Sequence, residues 1–135
     1  MIAADASVAI AAAQPWHESH RAARAALRRE PVRLPAHAAV ESYSVLTRLP
    51  HPDRVSAPEA HSYLVRTFER PFLALPADGY EELLDAAAAK NVTGGAVYDA
   101  LVGATAARAG ARLLTLDRRA IRAYEAVGAD FELLA

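Results

Sequence analysis

The chain has no cysteine, and only one of its fifteen basic residues is lysine, Lys90. Without cysteine there are no disulfides and no thiolate metal sites, which suits a reducing compartment. No stretch approaches the roughly 20 apolar residues of a membrane span. The opening Met1-Ile2-Ala3-Ala4-Asp5 has no basic region and meets a charge at once, so no signal peptide is predicted and a cytoplasmic location is expected. No P-loop and no GxGxxG occurs; Thr93-Gly94-Gly95 reads as a flexible loop. The five histidines show no metal-ligand spacing: His17 and His20 stand three apart, but no acidic pattern supports a zinc site. The net charge of −1 lacks the basic footprint of a strong nucleic-acid binder, so any contact with a polyanion has to come from a local patch.

What remains is an alanine-rich chain of 135 residues, 53% hydrophobic, enough for a core without staples. A chain of this length buries roughly two-thirds of its unfolded surface. No repeat, low-complexity tail or linker divides it, so residues 1–135 read as one domain. Short apolar runs alternate with longer helical patterns, which predicts an α/β fold with three layers around a parallel sheet of four to five strands. Strands are expected at 2–4, 32–34, 72–75 and 112–116, with 131–134 able to add a fifth. Helices are expected at 8–12, capped by Ser7, and at 15–30, 36–49, 58–66, 76–90, 96–109 and 118–127. Gly110 and Gly128 suit the ends of the last two.

Carboxylates carry the chemistry. Asp5 and Asp117 each stand where an apolar strand gives out, and right-handed crossovers bring such ends to one edge of a parallel sheet. In open α/β sheets that edge is where ligands bind. Each also has a structural reading, as the cap of the helix that follows. Glu41 borders the buried face of its helix, three residues after Ala38 and four before Val45; alone, it reads more readily as a boundary glutamate reaching to solvent or pairing with an arginine. Asp99 lies in Ala96-Val97-Tyr98-Asp99-Ala100-Leu101-Val102-Gly103-Ala104-Thr105-Ala106-Ala107, a helix apolar on nearly every side and therefore expected to be buried. A carboxylate there needs a proton, a cation or an opening to water. Four carboxylates together would repel one another, and an oxygen-only cluster suits Mg²⁺ or Mn²⁺.

The segments Ala4-Asp5-Ala6-Ser7, Ala39-Val40-Glu41, Leu46-Thr47-Arg48-Leu49-Pro50, Val97-Tyr98-Asp99-Ala100-Leu101-Val102-Gly103-Ala104-Thr105-Ala106 and Leu114-Thr115-Leu116-Asp117-Arg118-Arg119 resemble, in order and spacing, the small PIN-domain nucleases. The likeness is to the VapC toxins of bacterial toxin–antitoxin pairs in particular and spans the whole chain. It implies Mg²⁺-dependent endoribonuclease activity, with Asp5 and Asp99 as principal metal ligands. Glu41 and Asp117 would complete the acidic site, through water or a second metal. Ser7 and Thr115 match small polar positions that would orient ligands or water. The resemblance also implies a homodimer and a VapB-like antitoxin partner. Ala6 departs from the pattern, where relatives often carry threonine or serine, but the acidic set is intact.

Three other readings compete. A haloacid-dehalogenase-like phosphatase also begins with a strand-end aspartate, but it needs Asp-x-Asp and Ser7 occupies the second position. A response-regulator receiver wants an aspartate after the third strand and a late lysine; here that strand ends in Leu75-Pro76 and no lysine follows Lys90. A catalytically degenerate PIN-like binding module is disfavoured because all four acidic positions are filled. Outside the acidic set, Arg21, Arg24 and Arg28 share one helix face and can meet RNA phosphate, or simply form a solvated face. Trp16 and His17 can contact RNA or an antitoxin, or cover a helix end.

Overall fold

The computed structural model describes residues 1–134. Its four strands are β1 (Ile2–Ala4), β2 (Val32–Arg33), β3 (Arg112–Thr115) and β4 (Phe131–Leu133). All pair in parallel in the order β2-β1-β3-β4. Ala3 stands opposite Arg33 and Leu113, and Leu114 opposite Ala4 and Glu132. The helices are α1 (Ala6–Ala13), α2 (His20–Leu27), α3 (Ala36–Thr47), α4 (Ala57–Thr67), α5 (Ala77–Ala89), α6 (Ala96–Arg108) and α7 (Ile121–Ala126), with a 3₁₀ turn at Arg118–Ala120.

Side chains alternate across a strand, and here the alternation divides the core into two layers. Ala4, Val32, Leu34 and Leu114 pack against α1, α2 and α4. Ala3 and Leu113 point the other way, onto Val102 and Ala106 of α6 and Tyr124 of α7. The sheet thus lies between helices on both faces, as a parallel sheet requires. Alanine lets these helices sit close to the strands, since Ala9, Ala11, Ala23 and Ala38 are all fully buried.

Three expectations are corrected. The strand expected at 72–75 is a single bridge between Leu73 and Pro35. Leu73 N donates to Leu34 O at 2.9 Å and Ala36 N to Leu73 O at 2.7 Å. Pro71 and Pro76 bracket this segment and Pro35 faces it; none has an N–H to extend a ladder. The helix expected from residue 15 starts at His20. Before it, Ser19 N donates to the His17 ring at 3.0 Å and the His20 ring bonds Ala11 O at 2.9 Å, so side chains hold a turn in place of helical bonds. Trp16 in that turn is 60% exposed. Finally, α6 is not buried all round: Ala100, Val102, Gly103, Thr105 and Ala106 face the core, while Tyr98 is 61% exposed. Alanine and tyrosine at water-facing positions make this helix look more interior than it is, because exposing single apolar residues costs little.

Leu114 is fully buried at the centre of the layer under α1. Leu114→Ala should therefore lower the unfolding free energy by about 3 kcal/mol, the usual cost of a buried leucine truncation. Urea denaturation reads this directly, and a loss below about 1 kcal/mol would show that this layer is not close-packed.

Candidate active site

β1 and β3 are neighbours, and their carboxyl ends open the crevice at which the strand order reverses, with β2 on one side and β4 on the other. Asp5 is the first residue past β1. It remains extended, so its side chain follows the alternation set by Ala3 and points toward α6 and α7. Asp117 stands two residues past β3, Glu41 in the middle of α3, and Asp99 in the first turn of α6. These four carboxylates, with Ser7, Val102 and Tyr124, line one cavity of about 40 Å³. That is room for roughly three water-sized particles. A nucleotide does not fit inside, so a large substrate would reach these groups only from the rim.

Asp5 is the deepest of the set, 4% exposed. Burial raises its pKa, and hydrogen bonds from the hydroxyls of Ser7, Thr115 and Tyr124 and from Val8 N–H pull it back. Ser7 Oγ donates to Asp5 Oδ1 at 2.5 Å, Val8 N to the same oxygen at 3.3 Å, and Tyr124 Oη to Oδ2 at 2.6 Å. Ser7 Oγ in turn accepts from Leu116 N at 2.9 Å, which ties the end of β1 to the end of β3. Thr115, fully buried, accepts from Asp117 N at 3.0 Å. Asp117 caps the 3₁₀ turn, accepting from Arg119 N at 2.9 Å.

The structural readings of Asp5 and Asp117 as caps are thus both realised: Asp5 caps α1 and Asp117 the turn after β3. Capping and facing the cavity are compatible, because a cap satisfies one oxygen and leaves another. Ser7, expected to cap α1, instead lies in its first turn and donates to the true cap, Asp5.

The remaining carboxylates are less enclosed. Asp99 is partly exposed, and its pKa is pushed up to about 6, first by burial and then by the charges of Asp117, Glu41 and Asp5, with Arg119 opposing. Glu41 sits at the rim; burial raises its pKa, His37 lowers it, and Asp5 raises it again. The Arg119 guanidinium lies 3.7 Å from Asp117 Oδ1 and is itself almost fully exposed. Arg21, Arg24 and Arg28 lie on or just beyond α2, and none lines the cavity.

Tyr124 is the member of the site that sequence reading missed. It is 1% exposed, and its link to Asp5 spans 119 residues of chain. The spacing Asp99-x-x-x-Gly103 was its only trace in sequence. Gly103 stands one turn below Asp99 on the same helix face, and a Cβ there would come within 2.9 Å of the Tyr124 ring.

The PIN domain family model matches residues 2–126. The chain is 53% identical to Ribonuclease VapC40 of Mycobacterium tuberculosis over 134 residues, 99% of each chain. It is 42% identical to Ribonuclease VapC27 of the same organism over 127 residues, 94% of this chain and 92% of that one. Among solved structures, FitAB bound to an IR36 DNA fragment superposes with a TM-score of 0.75 at 17% identity, covering 98% of this chain and 94% of that one. VapC20 of M. tuberculosis, a toxin that cleaves the sarcin–ricin loop, gives a TM-score of 0.72 at 20% identity, covering 96% of each. The two structural likenesses carry the fold.

Asp99 gives a pH signature in the metal-free protein. Its folded-state pKa of about 6 lies above the ordinary 3.8, so the folded chain holds this proton more tightly than the unfolded one. The stability from protonated Asp99 is present below about pH 4 and is lost as pH rises through about 6. In EDTA, Asp99→Asn should therefore raise the melting temperature at pH 7.5 and change it little at pH 4.5. Solvent screening of a half-exposed group reduces the gain to about 1 kcal/mol, or about 3 °C. A variant that melts at or below wild type at pH 7.5 would show that neither burial nor the neighbouring carboxylates penalise the Asp99 charge.

Proposed function

The chain belongs to the PIN-domain family, and on that premise we propose that it is a metal-dependent endoribonuclease, the toxin of a VapBC-type toxin–antitoxin pair. The observation that carries this is the meeting of Asp5, Glu41, Asp99 and Asp117 at one small cavity, in a chain 53% identical to a named ribonuclease. The reaction is addition of water across an RNA phosphodiester bond.

PIN-domain ribonucleases generally use a divalent metal, and the donor set here fits one. The ionisable side chains lining the cavity are carboxylates and Tyr124, with no imidazole or thiol, which suits a hard cation. Among the described residues no three His, Cys, Asp or Glu side chains form a ready cage. Mg²⁺ does not need one, since it keeps several waters and takes one or two carboxylates. Burial first, and then mutual repulsion, raise the pKa of Asp99, and both favour a cation in the cavity. When bound, Mg²⁺ or Mn²⁺ supplies an activated water and neutralises charge on the phosphate.

In this reading Asp5 and Asp99 hold the cation, and Glu41 and Asp117 complete the site directly or through water. Ser7 and Thr115 keep the carboxylates and the ends of β1 and β3 in register. Arg119, exposed beside Asp117, is assigned to contact with substrate phosphate. Arg21, Arg24 and Arg28 are assigned to phosphates away from the scissile bond. No helix among the described residues is long and apolar enough to cross a membrane, and the proposed place of action is the cytoplasm. We read residues 1–135 as one nuclease domain, inhibited by a VapB-like antitoxin.

Purified protein should cleave RNA with Mg²⁺ and stop on addition of EDTA. Asp5→Asn and Asp99→Asn should each lower the rate by about 100-fold or more, the equivalent of several kcal/mol of lost metal assistance, with circular dichroism unchanged. Cleavage that survives EDTA would refute the metal mechanism; cleavage that survives both substitutions would refute the site.

The VapC likeness also implies a homodimer. Val40 and Tyr98, 68% and 61% exposed, flank a recess beside the carboxylates in which His37 stacks on Tyr98 at 5.5 Å. Exposed apolar side chains grouped in this way suit a subunit contact. Light scattering should give twice the chain mass, and Val40→Glu should shift it to the monomer; an unchanged dimer would move the contact elsewhere.

A further inference from the structure

We infer that Tyr124 is a positioning residue of the metal site, holding the Asp5 carboxylate in the orientation a divalent cation requires. This rests on the nuclease reading above and adds a residue to it.

A buried tyrosine hydroxyl needs a partner, and a backbone carbonyl would serve. Tyr63 shows the ordinary solution, donating to Ala9 O at 2.6 Å. Tyr124 instead spends its proton on Oδ2 of Asp5, also at 2.6 Å, inside the cavity that both residues line. Ser7 and Val8 already hold Oδ1, so without Tyr124 the second oxygen would keep no donor from α6 or α7. With it, both oxygens are fixed from opposite sides. The Thr115 hydroxyl lies within hydrogen-bonding reach of both Asp5 and Tyr124, and its oxygen accepts from Asp117 N. Thr115, beside Tyr124, thereby links the surroundings of Asp5 to the backbone of Asp117.

The ring is seated as firmly as its hydroxyl. Gly103 of α6 clears the space beneath it: a Cβ at that position would stand 2.9 Å from Tyr124 Cδ1 and 3.0 Å from Val127 Cγ2. Phe131 of β4 packs on the ring at 6.2 Å. Since Gly103 follows Asp99 by four residues, the helix that presents Asp99 to the cavity also opens the slot through which Tyr124 reaches Asp5. Partners that orient a metal-binding side chain commonly change affinity by 10–100-fold when removed.

The test is Mn²⁺ binding by the full-length protein without RNA, followed by the electron paramagnetic resonance signal of the free ion. Tyr124→Phe keeps the ring and loses only the hydroxyl. It should weaken Mn²⁺ binding about tenfold. RNA cleavage should drop at limiting Mn²⁺ and recover as Mn²⁺ is raised. Gly103→Ala, which crowds the ring, should weaken binding in the same direction. Tyr63→Phe loses a partly buried tyrosine hydroxyl bond of the same length at a residue that does not line the cavity, and should leave Mn²⁺ affinity within twofold. Wild-type affinity in Tyr124→Phe, or an equal loss in Tyr63→Phe, would overturn the role of Tyr124 while leaving the nuclease reading in place. A wild-type protein that neither binds Mn²⁺ nor cleaves RNA would remove both.

Discussion

A carboxylate with almost no exposure has to be surrounded by donors, and Asp5 is that carboxylate. Its donors come from separate parts of the chain: Ser7 and Val8 from α1, Tyr124 from α7. Ser7 is also bonded to Leu116, past the end of β3. Satisfying one side chain therefore fixes where α1 leaves the sheet, how β3 ends and where α7 docks. Losing any of these donors would leave part of a buried charge unpaired, which costs more than an ordinary hydrogen bond contributes. The carboxyl edge of the sheet is held together by the same group that faces the cavity.

The other three carboxylates follow from the strand order. Putting β3 beside β1, with β2 and β4 outside them, brings residues more than a hundred positions apart to one crevice. α3 and α6 then bring Glu41 and Asp99 to its rim. No basic residue lines the cavity to offset the accumulating charge, and Arg119 and His37 act from outside it. The arrangement accepts a local loss of stability that a packing-driven sequence would have avoided, as sites shaped for chemistry commonly do.

Strand-end position and helix pattern were enough to nominate the four acidic residues from sequence, because both are local properties of the chain. The parallel sheet was legible for the same reason. Four things were not. The segment at Leu73 looked like a strand by composition, but its flanking prolines allow only one bridge. The residues before His20 looked helical, but histidine rings compete for the backbone bonds. The burial of α6 was the third. Its alanines made α6 look interior all round, yet Asp99 is partly exposed and Asp5 is the enclosed carboxylate; alanine count does not report burial. Tyr124 was out of reach for a different reason. Its partner is 119 residues away, and nothing near it in sequence distinguishes it from a core aromatic.

The difference in how the four carboxylates are held suggests how the site divides its work. Asp5 has hydrogen-bonded donors on both oxygens and no freedom to move without breaking several bonds. Asp117 is held by one backbone N–H and an exposed arginine. Glu41 and Asp99 have no hydrogen bond to hold their carboxylates among the described residues. A cation that exchanges waters for substrate oxygens needs a fixed point and adaptable neighbours, because a rigid cage would resist each change of ligand. One immobile carboxylate and three movable ones meet that need, and they also explain why no three of them stand as a finished cage. Preorganisation is concentrated at Asp5, where the sheet can bear its cost, and the groups on α3 and α6 are left to close on whatever the crevice receives.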